Sequence, residues 1–134
     1  QILQIPGYVA MVAENNHAYR IIPLDGGPHV GENLKLWMWD SRGRWEGNTL
    51  VVDVTNHDAR TWIDQAGAYH SDALHVVERF AFVDANTINY EATLEDPKAY
   101  TRPWKIAFTH KRTAEQGFEL LEDACYEGLQ AAPH

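Results

Sequence analysis

Residues 43–55 constrain this chain more than any other stretch, because a Gly47-Asn48 dipeptide stands between an arm bearing Trp45 and the run TLVVDVT. Glycine and asparagine reach the left-handed backbone conformations that tight hairpin loops use, and β-branched residues favour the extended arms. The segment therefore reads as a tight hairpin.

The same punctuation recurs along the chain. Residues 1–14 are rich in Ile, Val, Tyr and Met around Pro6-Gly7, which reads as one early strand interrupted or bulged at that dipeptide. Asn15-Asn16 turns the chain into a second strand at 17–24, and Asp25-Gly26-Gly27-Pro28 ends it. Residues 28–41 have no period and read as a long loop carrying Trp37 and Trp39; residues 56–68 look irregular, anchored by Trp62. A strand over 69–84 follows, Asp84-Ala85-Asn86 turns it, 87–94 returns as its partner, and Asp96-Pro97 breaks the run. With 104–111 and 118–125 the count reaches about eight strands. Only 113–117 or 96–99 has room for a turn of helix. Many short strands joined by Gly, Pro and Asn turns predict one all-β domain over residues 1–134. A small jelly roll or cupin-like barrel is the first choice, since the loops at 25–43 and 56–69 fit its mouth. A lipocalin-like up-and-down barrel is the alternative, and strand order is not decided by sequence.

At 134 residues the chain is long enough to bury a core unaided, and 45% apolar residues argue against global disorder. The formal charge of −8 argues against a nucleic-acid partner, which would call for clustered Lys and Arg. Cys125 is the only cysteine, so neither an internal disulfide nor a thiolate zinc site is expected. No apolar run approaches the roughly 18 residues that cross a bilayer, so no membrane segment is expected. A first residue of Gln1 rather than Met reads as a processed or trimmed product.

Chemistry concentrates in residues 69–84, YHSDALHVVERFAFVD. Alternation places Leu74, Val76, Glu78, Phe80 and Phe82 on one face and His75, Val77, Arg79, Ala81 and Val83 on the other. Each face is mainly apolar with polar intrusions, so both are expected to be covered and the intruders to need partners. His75 and Glu78 fall on opposite faces and do not readily serve one centre.

Three groups of side chains carry functional expectations. Of seven histidines, His17, His29, His57, His70 and His75 lie in the first 75 residues. Imidazole is the commonest neutral transition-metal ligand, so His17, His70 and His75, with His29 in reserve, form a candidate metal set. His70 and His75 are five apart, and sharing a metal requires His70 to sit in a loop or bulge. The tight His-x-His pair of many cupins is absent. Glu78, Glu122 and Glu14 each share a face with apolar residues, and Glu78 with Glu122 would make an acid/base pair in low dielectric. Arg20 and Arg79 are the available counter-charges, and an internal Glu–Arg ion pair is the structural alternative. Trp37, Trp39, Trp45, Trp62 and Trp104 either stack on sugars or aromatic ligands or plug the end of a barrel.

In order, GYVAMVAENNHAYRIIPLDGGPH, DSRGRWEGNTLVVDVTN, HSDALHVVERF, INYEATLEDPKAYTRPW and ELLEDACYEG resemble a large group of exported environmental bacterial proteins with no assigned activity. The resemblance runs over nearly the whole chain and implies a secreted or periplasmic location. Members of that group are typically longer at the N-terminus, so this chain corresponds to their C-terminal part or to a short member. The positions that match the group's blocks and bear useful chemistry are His17, Arg20, His29, Asp53, His70, His75, Glu78 and Glu91. Tyr126 departs from the group's Ala-Cys-His-Glu-Gly pattern.

The leading expectation is a metal-dependent oxidoreductase with a histidine-ligated copper or iron centre, zinc being a third choice, acting on carbohydrate or plant-derived aromatic material. A metal-free lyase, isomerase or hydrolase using Glu78 and Glu122 with Arg20 is the second. A non-catalytic barrel that binds an apolar or aromatic ligand is the third. A homodimer is compatible with an unpaired first strand.

Overall fold

Gly47 adopts φ of 61°, and with Asn48 it joins β4 (Asp40–Glu46) to β5 (Thr49–Thr55) in a two-residue hairpin that pairs Glu46 with Thr49. The expected hairpin is therefore present. In this computed structural model, residues 1–13, 18–64, 66–114 and 117–118 are described. The expected Asn15-Asn16 turn, nearly all of the expected strand at 118–125, and His17, Glu122 and Cys125 lie outside the described residues.

Pro6-Gly7 does more than interrupt a strand. Ile5 pairs with Tyr8 across it, so β1 (Ile2–Ile5) and β2 (Tyr8–Val12) are two antiparallel strands of a hairpin, which corrects the single bulged strand. Proline fixes its own φ and Gly7 takes φ of 81°, the combination that reverses a chain instead of kinking it. β3 (Tyr19–Pro23) completes a three-stranded sheet in the order β1-β2-β3. β6 (His75–Asp84), β7 (Thr87–Glu95) and β8 (Trp104–Lys111) extend the first hairpin to a five-stranded sheet in the order β4-β5-β6-β7-β8.

Among the described residues every strand pairs antiparallel with a sequence neighbour, and one isolated parallel bridge joins Leu36 to His57. The protein is all-β as expected, and of the two architectures left open, the strand order is the meander of the up-and-down kind. No helix among the described residues is long and apolar enough to cross a membrane. Residues 96–99 form a turn, with the Tyr100 N–H donating to the Asp96 carbonyl at 2.8 Å. β6 begins at His75 and not at Tyr69 because the preceding loop is held elsewhere. The Asp96 carboxylate accepts from the Ser71 N–H at 2.6 Å and from its hydroxyl at 2.7 Å.

Period-two alternation sets the faces. Val9 and Ile22 of the smaller sheet pack with Leu50, Val52, Val54, Val76, Phe80 and Leu94 of the larger one in a shared core. The sheets approach closely at Gly43, where an added Cβ would lie 2.7 Å from an Ile22 methyl and 2.8 Å from a Leu24 methyl. On the outside of the larger sheet Val51 is also fully buried, in register between Arg44 and Arg79, which both bind Glu46. Arginine stems thus help cover apolar surface that the sheet turns outward. The outer face of the smaller sheet is different: Leu3, Ile5, Tyr8, Tyr19 and Ile21 are all exposed.

Candidate functional site

Among the described residues five strands face three, and the width of the larger sheet beyond β1–β3 is where space remains. Among the described residues a partly open pocket of about 420 Å³ lies over β5–β8 and is bordered by loop residues, including Trp39, His57, Trp62 and Ile63. No described residue of β1–β3 lines it. Val76, Ala92, Leu94 and Ile106 floor it, while Tyr90 and Phe108 supply aromatic surface. Trp62 is 64% exposed at its margin.

At one wall stands the polar group that β6 carries inward. Glu78 is ion-paired to Arg20, the side chains being 10% and 11% exposed. The other Glu78 oxygen accepts from the Tyr90 hydroxyl at 2.9 Å, and Arg20 Nε donates to Ser41 Oγ at 2.8 Å. Burial, then the neighbouring Glu78 charge and hydrogen bond, push the Tyr90 phenol upward, so it stays a donor. Both oxygens of Glu78 are therefore engaged. Of the two counter-charges expected, Arg20 serves Glu78, whereas Arg79 bonds Glu46 at 3.0 Å on the outer face.

The residues beside this pair are less satisfied. Trp39 takes φ of 63°, a left-handed conformation that is costly for so bulky a residue. Its ring lies under the Arg20 guanidinium at 5.8 Å and 5.3 Å from the His57 ring. His57 is 2% exposed; its ring nitrogens and Trp39 Nε1 are buried and make no well-aligned hydrogen bond among the described residues, the Val54 backbone being the polar group that favours the His57 proton. Burial, reinforced by the nearby His70, lowers the His57 pKa to about 4, so the ring is neutral near pH 7. A neutral imidazole offers one N–H donor and one bare nitrogen acceptor.

The histidines named from sequence separate into two places. His70 borders the cavity, where its Nδ1 donates to the Ser71 carbonyl at 2.8 Å and Nε2 meets the Thr61 hydroxyl at 2.9 Å. His29 and His75 instead meet on the outer face at Asp53, through Nε2 contacts of 2.8 and 3.0 Å. His29 Nδ1 lies 2.7 Å from Asp40. Burial works against the Asp53 charge, but hydrogen bonds from His75 and His29 outweigh it and hold the carboxyl below its usual range. Among the described residues no group of three or more His, Cys, Asp or Glu side chains is arranged to hold a metal ion.

No family model, curated protein or solved structure matches this chain.

Sequence reasoning named Trp39 as one of five tryptophans that could stack on a ligand, counted His57 among the histidines without giving it a role, and overlooked Tyr90. For His57 the reason is geometric. Counting by twos from Val52 and Val54 sends Asn56 inward and His57 outward, but Asn56 adopts φ of 60° and reverses that count. Asparagine tolerates this conformation better than most residues, and its position at the end of a β-branched run was the available signal.

Proposed function

We propose that this protein binds a small, mainly apolar molecule in the cavity over β5–β8. The observation that carries this reading is the cavity itself, about 420 Å³ bounded mainly by apolar and aromatic side chains. Pockets of this size, mainly apolar with a few placed polar groups, are the usual form of small-molecule sites. A barrel or sandwich whose Leu, Val and Phe side chains filled the interior would have no room for a ligand, and among the described residues those side chains leave a pocket. The aromatic walls favour an aromatic ligand over a carbohydrate. Acid/base chemistry at Glu78 has less support because Arg20 and Tyr90 occupy its two oxygens. A shared metal at His70 and His75 has less support because the two rings bond to different partners, Ser71 and Thr61 against Asp53.

The test is titration with N-phenylnaphthylamine, an uncharged probe that fluoresces in apolar surroundings. Saturable binding is expected, abolished by Ala92→Trp, which fills the cavity from its floor. Ile106→Trp, on the edge strand, does the same if Ala92→Trp fails to fold. Absence of saturable binding, or full binding in a folded cavity-filling variant, refutes the reading.

A further inference from the structure

We infer that the outer face of the smaller sheet is a contact surface for a second copy of this chain, packed sheet against sheet. Register defines the face. Val9 and Ile22 point into the shared core and Arg20 reaches Glu78, so the alternate residues of β1–β3 point away from it. They form three rows across the strands: Leu3–Ala10–Ile21, Ile5–Tyr8–Pro23 and Val12–Tyr19. None of these eight side chains is charged, in a chain whose residues are 22% charged. An antiparallel sheet with one face in water normally turns polar residues outward, and here the outward set is apolar as well.

Area and charge together favour a second copy as the occupant. Leu3, Ile5, Tyr8, Tyr19 and Ile21 keep between 41% and 65% of their surface exposed. At roughly 200 Å² for a whole residue of this size, these five leave on the order of 500 Å² per copy. Two copies bury about 1,000–1,200 Å² once Ala10, Val12 and Pro23 are added, which reaches the lower range of specific interfaces. Contiguous apolar patches of this extent are often functional. The chain carries a formal charge of −8 and the face has no Lys or Arg, so an anionic membrane, which attracts basic surfaces, is a poor occupant. Two acidic copies repel each other, and meeting through an uncharged face keeps their like charges apart. Tyr8 and Tyr19 suit such a contact, because a tyrosine buries its ring while its hydroxyl stays at a wet rim. A two-fold axis between the sheets needs only a self-complementary face, and sheets packed this way lie within about 30° of each other. The β1 edge, unpaired among the described residues, is the weaker alternative: it is four residues long, and short edge strands guard against pairing.

The experiment is sedimentation velocity on the 134-residue chain. Concentrations run from about 1 to about 500 μM, bracketing the dissociation constant on the order of 10 μM that an interface of this size gives. Reversible monomer–dimer exchange is expected. Ile21→Glu places a carboxylate from each copy in the contact and is expected to weaken it at least about tenfold. Leu3→Glu, on the edge strand, does the same if Ile21→Glu fails to fold. Val83→Glu, at an exposed position of the larger sheet, should leave the dimer within about twofold of wild type. Raising salt from about 0.05 to about 0.5 M should tighten the dimer several-fold, because it screens the repulsion between copies. A chain that stays monomeric throughout, a dimer indifferent to both face variants or equally sensitive to Val83→Glu, or a dimer that salt loosens overturns the inference. None of these outcomes bears on ligand binding over β5–β8.

Discussion

Removing Arg20 would test how far the interior depends on one ion pair. With both side chains about nine-tenths covered, Arg20→Met strands the Glu78 carboxylate between Tyr90 and the apolar floor of the cavity. Breaking a buried pair from one side costs about 3–5 kcal/mol, well above the roughly 1 kcal/mol of an exposed pair. Trp39 also loses the cation lying over its ring. With a urea dependence of about 2 kcal/mol per molar, the unfolding midpoint should fall by about 1.5–2.5 M. The triple variant Arg20→Met, Glu78→Leu, Tyr90→Phe removes the stranded groups together and should recover most of that loss, since apolar replacements of whole buried networks are often neutral. The assay is equilibrium urea unfolding followed by tryptophan fluorescence. A loss under about 1 kcal/mol for Arg20→Met would show that solvent screens the pair. A triple variant as unstable as the single one would refute the stranded-charge account.

Three further outcomes follow from packing and protonation. Gly43→Ala forces a methyl against Ile22 and Leu24 and should destabilise the protein by about 1–3 kcal/mol in the same unfolding assay; an unchanged midpoint would show that the sheets separate freely. His57 binds a proton in the unfolded chain below its ordinary value of 6.5 but in the folded protein only near 4, so its contribution is complete above that ordinary value. It should be lost as pH falls through that window, up to about 3 kcal/mol, and His57→Leu should remove this part of the slope; equal slopes would count against a buried neutral ring. Asn56→Ala gives up hydrogen bonds to the Gly31 and Leu34 carbonyls and keeps an unfavourable φ, for a loss of about 2–4 kcal/mol by thermal or urea unfolding. Asn56→Gly should recover only the backbone share, and full recovery would mean that the hydrogen bonds contribute nothing.

Much of the sheet could be read from the sequence because it follows local rules. Gly47-Asn48 specified its hairpin, the run that became β6 showed its inward and outward residues by alternation, and the runs that became β7 and β8 were legible as strands. Glu78 among Val76 and Phe80 announced a buried charge that needed a partner, and Arg20 was one of two cations named for it. Pro6-Gly7 was ambiguous because the same residues serve bulges and reversals, and only the pairing of Ile5 with Tyr8 separates them. The cavity wall was harder to foresee. Its unsatisfied residues, Trp39 and His57, owe their places to left-handed backbone at Trp39 and at Asn56, where counting by twos fails. The loop position of His70 was anticipated as the condition for sharing a metal with His75, but which partners that loop would bring to it, Thr61 and, through Ser71, Asp96, is set by tertiary contacts that alternation does not report.

The mismatch between five strands and three divides the molecule into a frame and an insert. The frame is held by ladder hydrogen bonds and the shared core, and its register leaves little freedom at positions such as Gly43. The insert is the loop between β5 and β6, fastened to the frame by a few side-chain bonds, among them Ser71 to Asp96. Changes in that loop can therefore reshape the void while every strand pairing stays as it is. Two proteins with this frame could hold differently sized molecules and still unfold alike, so thermal stability would be a poor guide to whether they share a ligand.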